Sequence, residues 1–422
     1  MSIQLGPAPE DFIWAGGIED SFVPQTRPGH RALDEYELIG HYEHWRGDLA
    51  LARDLGLRAL RWGIPWYRVE PVPGKFDWRW TDEVLPYMVE ELGITPILDL
   101  VHYGCPFWLR REFAADEYPQ AVAHYAAAVA ARYGKLIRWY TPLNEPLINA
   151  LMCGSRGLWP PYLRGERGYI RVMIQLVKGI AATVRAIRAV VPDARMVYVE
   201  AAGLTRAARP ELLAVAREEQ ERRDLSFDLL TGRVTPQHTL FTWLVRHGVT
   251  LNDLADLGAA PLELDIIGVN FYPQWSTNEV YTDARGGLAS RIIERGGTGF
   301  AELITAYYRR YRVPIIVTET SARGSDAVRD AWLRTGLAAI KQMREGGIPV
   351  LGYTWFPLFT MIDWRYRFGR APVEDYHLQL GLYRLLTSAA GPRWAPTLLT
   401  AAMRAAIANP GAAIGTLARP AG

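Results

Sequence analysis

Two glutamates sit in contexts that suit carboxylate chemistry. Glu145 stands in Thr141-Pro-Leu-Asn144-Glu145-Pro146 and Glu319 in Ile316-Val-Thr-Glu319-Thr-Ser321, each at the end of an apolar run. A pair of this kind can cleave a glycosidic bond. One carboxyl must hold its proton near neutral pH to protonate the leaving oxygen, while the other stays ionised to attack or stabilise the anomeric carbon. If the second attacks directly, the two groups lie roughly 5–5.5 Å apart and configuration is retained. Like charges at that separation push one pKa up, so the pair sets its own division of labour. The structural alternative makes each glutamate a strand-end ion pair with an arginine. It serves either residue alone and accounts poorly for both together.

The elements that must position this pair read as an alternation. Short apolar runs occupy 12–18, 58–64, 95–102, 138–144, 195–202, 265–272, 313–319 and 349–356. Each is rich in β-branched or aromatic residues and bounded by Gly, Pro or polar residues, as buried parallel strands are. Helical spacing fills the gaps. Trp45, Leu49, Ala52 and Leu55 make one apolar stripe, which Gly56 stops. Further helices are predicted at about 80–92, 118–133, 168–191, 300–311, 325–345 and 395–408.

This pattern predicts an α/β protein, a (β/α)8 TIM barrel forming a single domain over 1–408 with loop insertions. An open doubly wound sheet is the competing arrangement, but the Gly-rich phosphate loop such sheets often carry is missing after the first strand. Residues 203–264 are too many for one helix and predict a helical insertion over the barrel mouth. Residues 276–298 read as a flexible loop, and 409–422 as a loose C-terminal tail. Barrel active sites lie at the C-terminal ends of the strands, where both glutamates fall. Glu200, near the end of the fifth run, is a third acid at that rim and the reserve candidate.

Composition narrows the partners. The 422 residues carry a formal net charge of +2, and Lys occurs only at 75, 135, 178 and 341, so nearly all basic residues are Arg. Acids interleave with them, so neither a nucleic-acid patch nor a membrane surface is expected. Cys105 and Cys153 are the only cysteines, and no His/Cys cluster suggests a metal. No cofactor is expected. Without a basic-then-apolar start or a run of roughly 20 apolar residues, the expectation is a cytoplasmic protein of unknown oligomeric state acting on a neutral or weakly charged substrate.

Several stretches together resemble glycoside hydrolase family 1, the β-glucosidase family of clan A. Asn144-Glu145-Pro146 resembles the clan's Asn-Glu-Pro motif, and Phe12-Ile-Trp14-Ala-Gly16 resembles the family's opening strand. Asp48 to Arg68 is similar to its second strand and preceding helix, and Leu100-Val-His102-Tyr103 stands where the family has His-Trp. Ile267-Gly-Val-Asn270-Phe-Tyr272, Gly352-Tyr-Thr-Trp355 and Asp363-Trp364 resemble the sixth strand, the eighth strand and the Glu-Trp beyond it. The resemblance implies Glu145 as acid/base and Glu319 as nucleophile. It also implies that Asn144 bonds the sugar 2-hydroxyl, that Arg61 and Tyr272 hold the nucleophile, that His102 binds a hydroxyl and that Trp355 floors the pocket. Each has a structural alternative: an ion pair inside the barrel for Arg61, a satisfied core histidine for His102, and plain core for Trp355.

The departures concern the residues that would read the sugar. The family's first-strand Gln has no clear equivalent, and the chain reads Gly16-Gly-Ile-Glu19-Asp20-Ser21 there, so Glu19 or Asp20 could bind hydroxyls instead. Tyr103 replaces Trp, Asp363 replaces Glu before Trp364, and Thr320-Ser321 replaces Asn-Gly. Arg365 and Arg367 could read an anionic sugar or form a solvated loop. Trp66, Tyr67, Trp108, Trp159, Tyr162 and Trp275 could line the entrance. The expected activity is that of a retaining exo-β-glycosidase in carbohydrate metabolism, binding a carbohydrate or glycoside. Transglycosylation through the same glutamates, or sugar binding without turnover, remain the alternatives.

Overall fold

The computed structural model describes residues 5–386 and 393–418. Eight strands form its centre: β1 (Ile13–Gly17), β2 (Ala59–Gly63), β3 (Thr95–Asp99), β4 (Trp139–Thr141), β5 (Arg195–Ala201), β6 (Ile266–Asn270), β7 (Ile315–Thr320) and β8 (Val350–Trp355). They run in sequence order around a closed parallel barrel, with β1 pairing both β8 (Ile13 with Gly352) and β2 (Ala15 with Ala59). Each lies within, or differs by one residue from, a predicted apolar run. The fold is the (β/α)8 TIM barrel.

Strand alternation sorts the side chains into two cores. Ile13, Ala59, Ile97, Val197, Ile266 and Ile316 belong to a cluster inside the barrel, separate from the larger cluster under the helices. Two residues further along their strands, Arg61 and Asp99 therefore share that inward face, nearer the C-terminal rim. The stripe of Trp45, Leu49 and Ala52 is buried on the helix His41–Asp54, Leu55 is buried as its C-cap, and Gly56 takes φ +95° just beyond. Positive φ suits glycine at a helix stop.

The segment between β5 and β6 holds three helices, Leu213–Leu230, Phe241–Arg246 and Leu251–Ala259, but opens with a strand, Leu204–Ala207. That strand corrects the reading of 276–298 as a flexible loop. Thr277–Thr282 pairs parallel with Leu204–Ala207 and antiparallel with Leu288–Ile292. Asp283 closes the hairpin by accepting 2.8 Å bonds from the Arg285 and Gly287 amides. From Gly296 the chain is already helical. The expected loose tail carries the helix Pro410–Ile414 with Ile414 buried, and its last residues, 419–422, lie outside the described residues. Among the described residues no helix is long and apolar enough to cross a membrane.

Candidate active site

Two backbone irregularities aim the glutamates. In β7 the register slips by one residue: Val317 pairs with Val269, but Glu319, not Thr318, pairs with Asn270. Without this bulge Glu319 would face the helices; with it, Glu319 shares the inward direction of Asn270. Glu145 follows β4 and adopts φ +47°, a conformation costly for a residue with a Cβ, between an amide bond to Val199 O (3.3 Å) and the short helix Pro146–Asn149. Non-glycine residues held there mark sites where surrounding structure dictates a side chain's aim.

One hydrogen-bonded network joins the pair. Arg61 is buried and bonds Glu319 Oε1 through Nη1, and Asp99 and Asn144 through Nη2, the last at 2.7 Å. Tyr272 donates its hydroxyl to Glu319 Oε2 at 2.8 Å. Asn270 Nδ2 donates to Glu145 Oε1 at 2.8 Å and to Asn144 Oδ1 at 3.2 Å, while its own Oδ1 is held by Thr318 at 2.7 Å. Tyr103, itself at φ +82°, donates its hydroxyl to Glu145 Oε2.

The two carboxylates therefore live in different fields. Glu319 faces a guanidinium and a phenol. Glu145 accepts hydrogen bonds only from neutral donors, and burial followed by the Glu319 charge pushes it up to about 7 despite the Tyr103 and Asn270 bonds and the His102 charge. Because a hydroxyl donated to a carboxylate favours its charged form, Tyr103→Phe should raise the Glu145 pKa further. The basic limb of the kcat/KM profile should then move to higher pH; an unmoved limb would show that this bond does not tune the acid.

Around the pair lies a cavity of about 700 Å³, lined in part by Glu19, His102, Tyr103, Tyr272, Asp363 and Trp364. His102 Nδ1 lies 2.8 Å from Asp20 and 3.4 Å from Asp99, and Nε2 lies 2.8 Å from Asn144 Nδ2. Burial opposes a charge on the ring, but Asp20, Asp99 and Glu19 outweigh it and raise its pKa well above the usual histidine value. The Asn144 amide oxygen is taken by Arg61 and Asn270, so only its NH2 faces Nε2, and charging the ring costs that hydrogen bond. Burial lifts Glu19 to about 7, and its Oε1 accepts from Ser21 N at 3.1 Å.

Asp20, Asp99 and His102 are close enough to share a cation, as are Glu221, Asp228 and His238. Arginine already serves both groups: Arg61 bonds Asp99, and Arg310 bonds Asp228 and Glu221.

Other expected site residues fall elsewhere. Trp355 is fully buried, does not line the cavity, and donates its indole N–H to Leu380 O at 3.0 Å, so it is core. Glu200 is also buried away from the cavity, accepting from Ser226 (2.6 Å), Leu147 N (3.1 Å) and Ala201 N (2.9 Å), with burial raising it to about 8. It anchors the backbone beyond Glu145 instead of serving as a reserve acid. Arg367 is buried and bonds the carbonyls of Val23 (2.7 Å), Pro24 and Arg31, which rules out a solvated or anion-reading role. Arg365 is exposed and forks onto Asp363 at 2.8 and 2.9 Å, so this aspartate meets the cavity with its charge already matched. Of the six aromatics expected at the entrance, Trp275 alone lines the cavity; Trp66 instead stacks on Tyr125 and Tyr67 on Phe22. The contacts of Asp99, Tyr103 and Asn270 were not anticipated. The sequence signal for Asp99 was polarity at a strand end, while Tyr103 and Asn270 also stand in stretches that resemble the family.

Buried acids also set the pH dependence of folding. Burial raises Glu19, Glu145 and Asp224 to about 7 and Glu112 and Glu200 to about 8. A raised acid binds more protons folded than unfolded, so stability is lost as pH climbs from the ordinary carboxyl range through these values. The melting temperature should be higher near pH 5.5 than near pH 8.5, and the reverse order would contradict the burial argument.

The comparisons with known proteins point the same way. The model of glycosyl hydrolase family 1 matches residues 17–374. A 1,4-β-D-glucan glucohydrolase of Thermotoga neapolitana is 22% identical over 370 residues, covering 80% of this chain and 87% of that protein. An aryl-phospho-β-D-glucosidase of Bacillus subtilis is 22% identical over 431 residues, covering 87% and 88%. The solved family 1 β-glucosidase of Thermotoga maritima superposes with a TM-score of 0.81 at 18% identity, covering 94% of this chain and 98% of its own. With its barrel, its paired glutamates and a family match over most of its length, the chain belongs to glycosyl hydrolase family 1 and is a glycoside hydrolase.

Proposed function

We propose that the protein is a retaining exo-β-glycosidase working by double displacement. The observation that carries this reading is the contrast between the two carboxyls: Glu145, lifted to about 7, and Glu319, clamped by Arg61 and Tyr272. Near neutral pH a substantial fraction of Glu145 holds its proton and can give it to the leaving oxygen, while Glu319 attacks the anomeric carbon. The C–O bond to the aglycone breaks as the bond to Glu319 Oε2 or Oε1 forms. Glu145, now ionised, takes a proton from water, which displaces Glu319 and restores both groups.

In this reading Asn144, buried with its amide shared among Arg61, Asn270 and His102, holds the side chains around the pair, and a 2-hydroxyl reaches it only by replacing one of these bonds. His102, Glu19 and Asp363 take further hydroxyls, and Trp364 offers an apolar face. Glucosides and phosphoglucosides head the candidate substrates, since the curated relatives bear those names.

A panel of aryl β-glycosides (glucoside, galactoside, fucoside, mannoside, xyloside, glucuronide) with α-L-arabinosides identifies the sugar. The corresponding 2-fluoro sugar with an activated leaving group should then inactivate the enzyme and add one glycosyl mass to the peptide carrying Glu319. Product of inverted configuration, or a label on another residue, would sink the mechanism.

A further inference from the structure

Glu145 divides the cavity. The acid must face the leaving oxygen, so the aglycone lies on its side, against the segments that follow β4 and β5. There Leu147, Ile148, Leu151, Met152 and Tyr169 form an apolar wall, and Arg222 and Arg223 are set into the same lining together with Glu166 and Glu219. Arg222 is occupied: it pairs with Glu218 at 3.0 Å and Glu166 at 3.3 Å and covers the Trp243 ring.

Arg223 differs. Among the described residues it makes no hydrogen bond and no ion pair, although it is only partly exposed. Its guanidinium lies against Gly203, where a Cβ would stand 2.5 Å from Nη1 and 2.8 Å from the Ser276 carbonyl oxygen. Burial lowers its pKa, opposed by Tyr307, Asp224, Glu219 (which lines the same cavity) and Tyr169. A desolvated cation in an apolar wall is costly unless an anion meets it, and a planar five-donor fork suits a carboxylate.

We infer that this half of the cavity is a leaving-group subsite for an aglycone carrying a carboxylate on an apolar body, with Arg223 as its partner. The inference rests on the glycosidase reading above. Arg156, exposed on the same lining, where its side chain makes only a 4.0 Å contact to Met152 Sδ among the described residues, adds attraction at the rim.

The test takes the glycone that the panel identifies and attaches 3-hydroxybenzoate or its methyl ester as leaving group. Comparing wild type with Arg223→Met on both substrates cancels leaving-group reactivity. The carboxylate-over-ester preference in kcat/KM should fall about tenfold or more, with partial recovery in Arg223→Lys. An unchanged preference, with both substrates cleaved, overturns the subsite and leaves the hydrolase reading intact. A second readout needs no turnover: calorimetry of 3-hydroxybenzoate itself should show binding to wild type, weakened about tenfold in Arg223→Met. Equal binding of acid and ester to both proteins would overturn the subsite even if no aryl glycoside were cleaved.

Discussion

Replacing Glu319 by Ala should lower turnover of every substrate by roughly four orders of magnitude or more, because the residue acts as a unit with Glu145 and Arg61. The folded protein should survive the change, since Glu319 ends a strand whose apolar residues remain packed. Azide should restore cleavage of an activated aryl glycoside, entering the space the carboxylate leaves, and the product should be the glycosyl azide of inverted configuration. Azide attack from that side is possible only if the missing group attacked there. Near-wild-type hydrolysis, or a rescued product of retained configuration, would remove Glu319 from the nucleophile's place.

Glu145→Ala should separate substrates by their leaving groups. Proton donation contributes about two to four orders of magnitude where the departing oxygen is basic, and little where it leaves unaided. Aryl glycosides of poorly acidic phenols should therefore lose that factor, while dinitrophenyl glycosides should still form the glycosyl-enzyme. Azide should accelerate its breakdown and give product of retained configuration, because Glu319 is still present. The profile's basic limb should vanish as well, since burial and the Glu319 charge place the Glu145 pKa near 7 and wild-type activity should fall as pH rises through it. Equal losses for all leaving groups, with the limb unchanged, would assign the proton transfer to another residue.

The barrel was legible because its signal is local. A strand buried on both faces must be apolar throughout, a covering helix must carry a stripe, and glycine must stop it, so the eight runs and helices such as Tyr118–Tyr133 could be read residue by residue. The two glutamates were legible for the same reason, as charges ending apolar strands in a fold that works at strand ends.

The hairpin at Thr277–Ile292 was not, because its pairing partner Leu204–Ala207 lies some seventy residues earlier and turn residues alone look like a loop. Nor could the sequence sort its polar and aromatic residues by partner. Arg61 and Arg367 are both buried arginines, yet one meets carboxylates and the other backbone carbonyls. Glu200 and Glu145 are both strand-end acids, yet one is filled by backbone amides and a serine while the other opens on the cavity. Trp355 ends its strand as the family pattern implies but turns into the core.

Even Glu319 depended on a one-residue bulge that no periodicity announces. Residue type and spacing determined that this chain would be a barrel with two carboxylates at its rim. Only the tertiary structure decided which side chains they meet, because a hydrogen-bond partner is set by register and chain crossing between residues far apart in sequence.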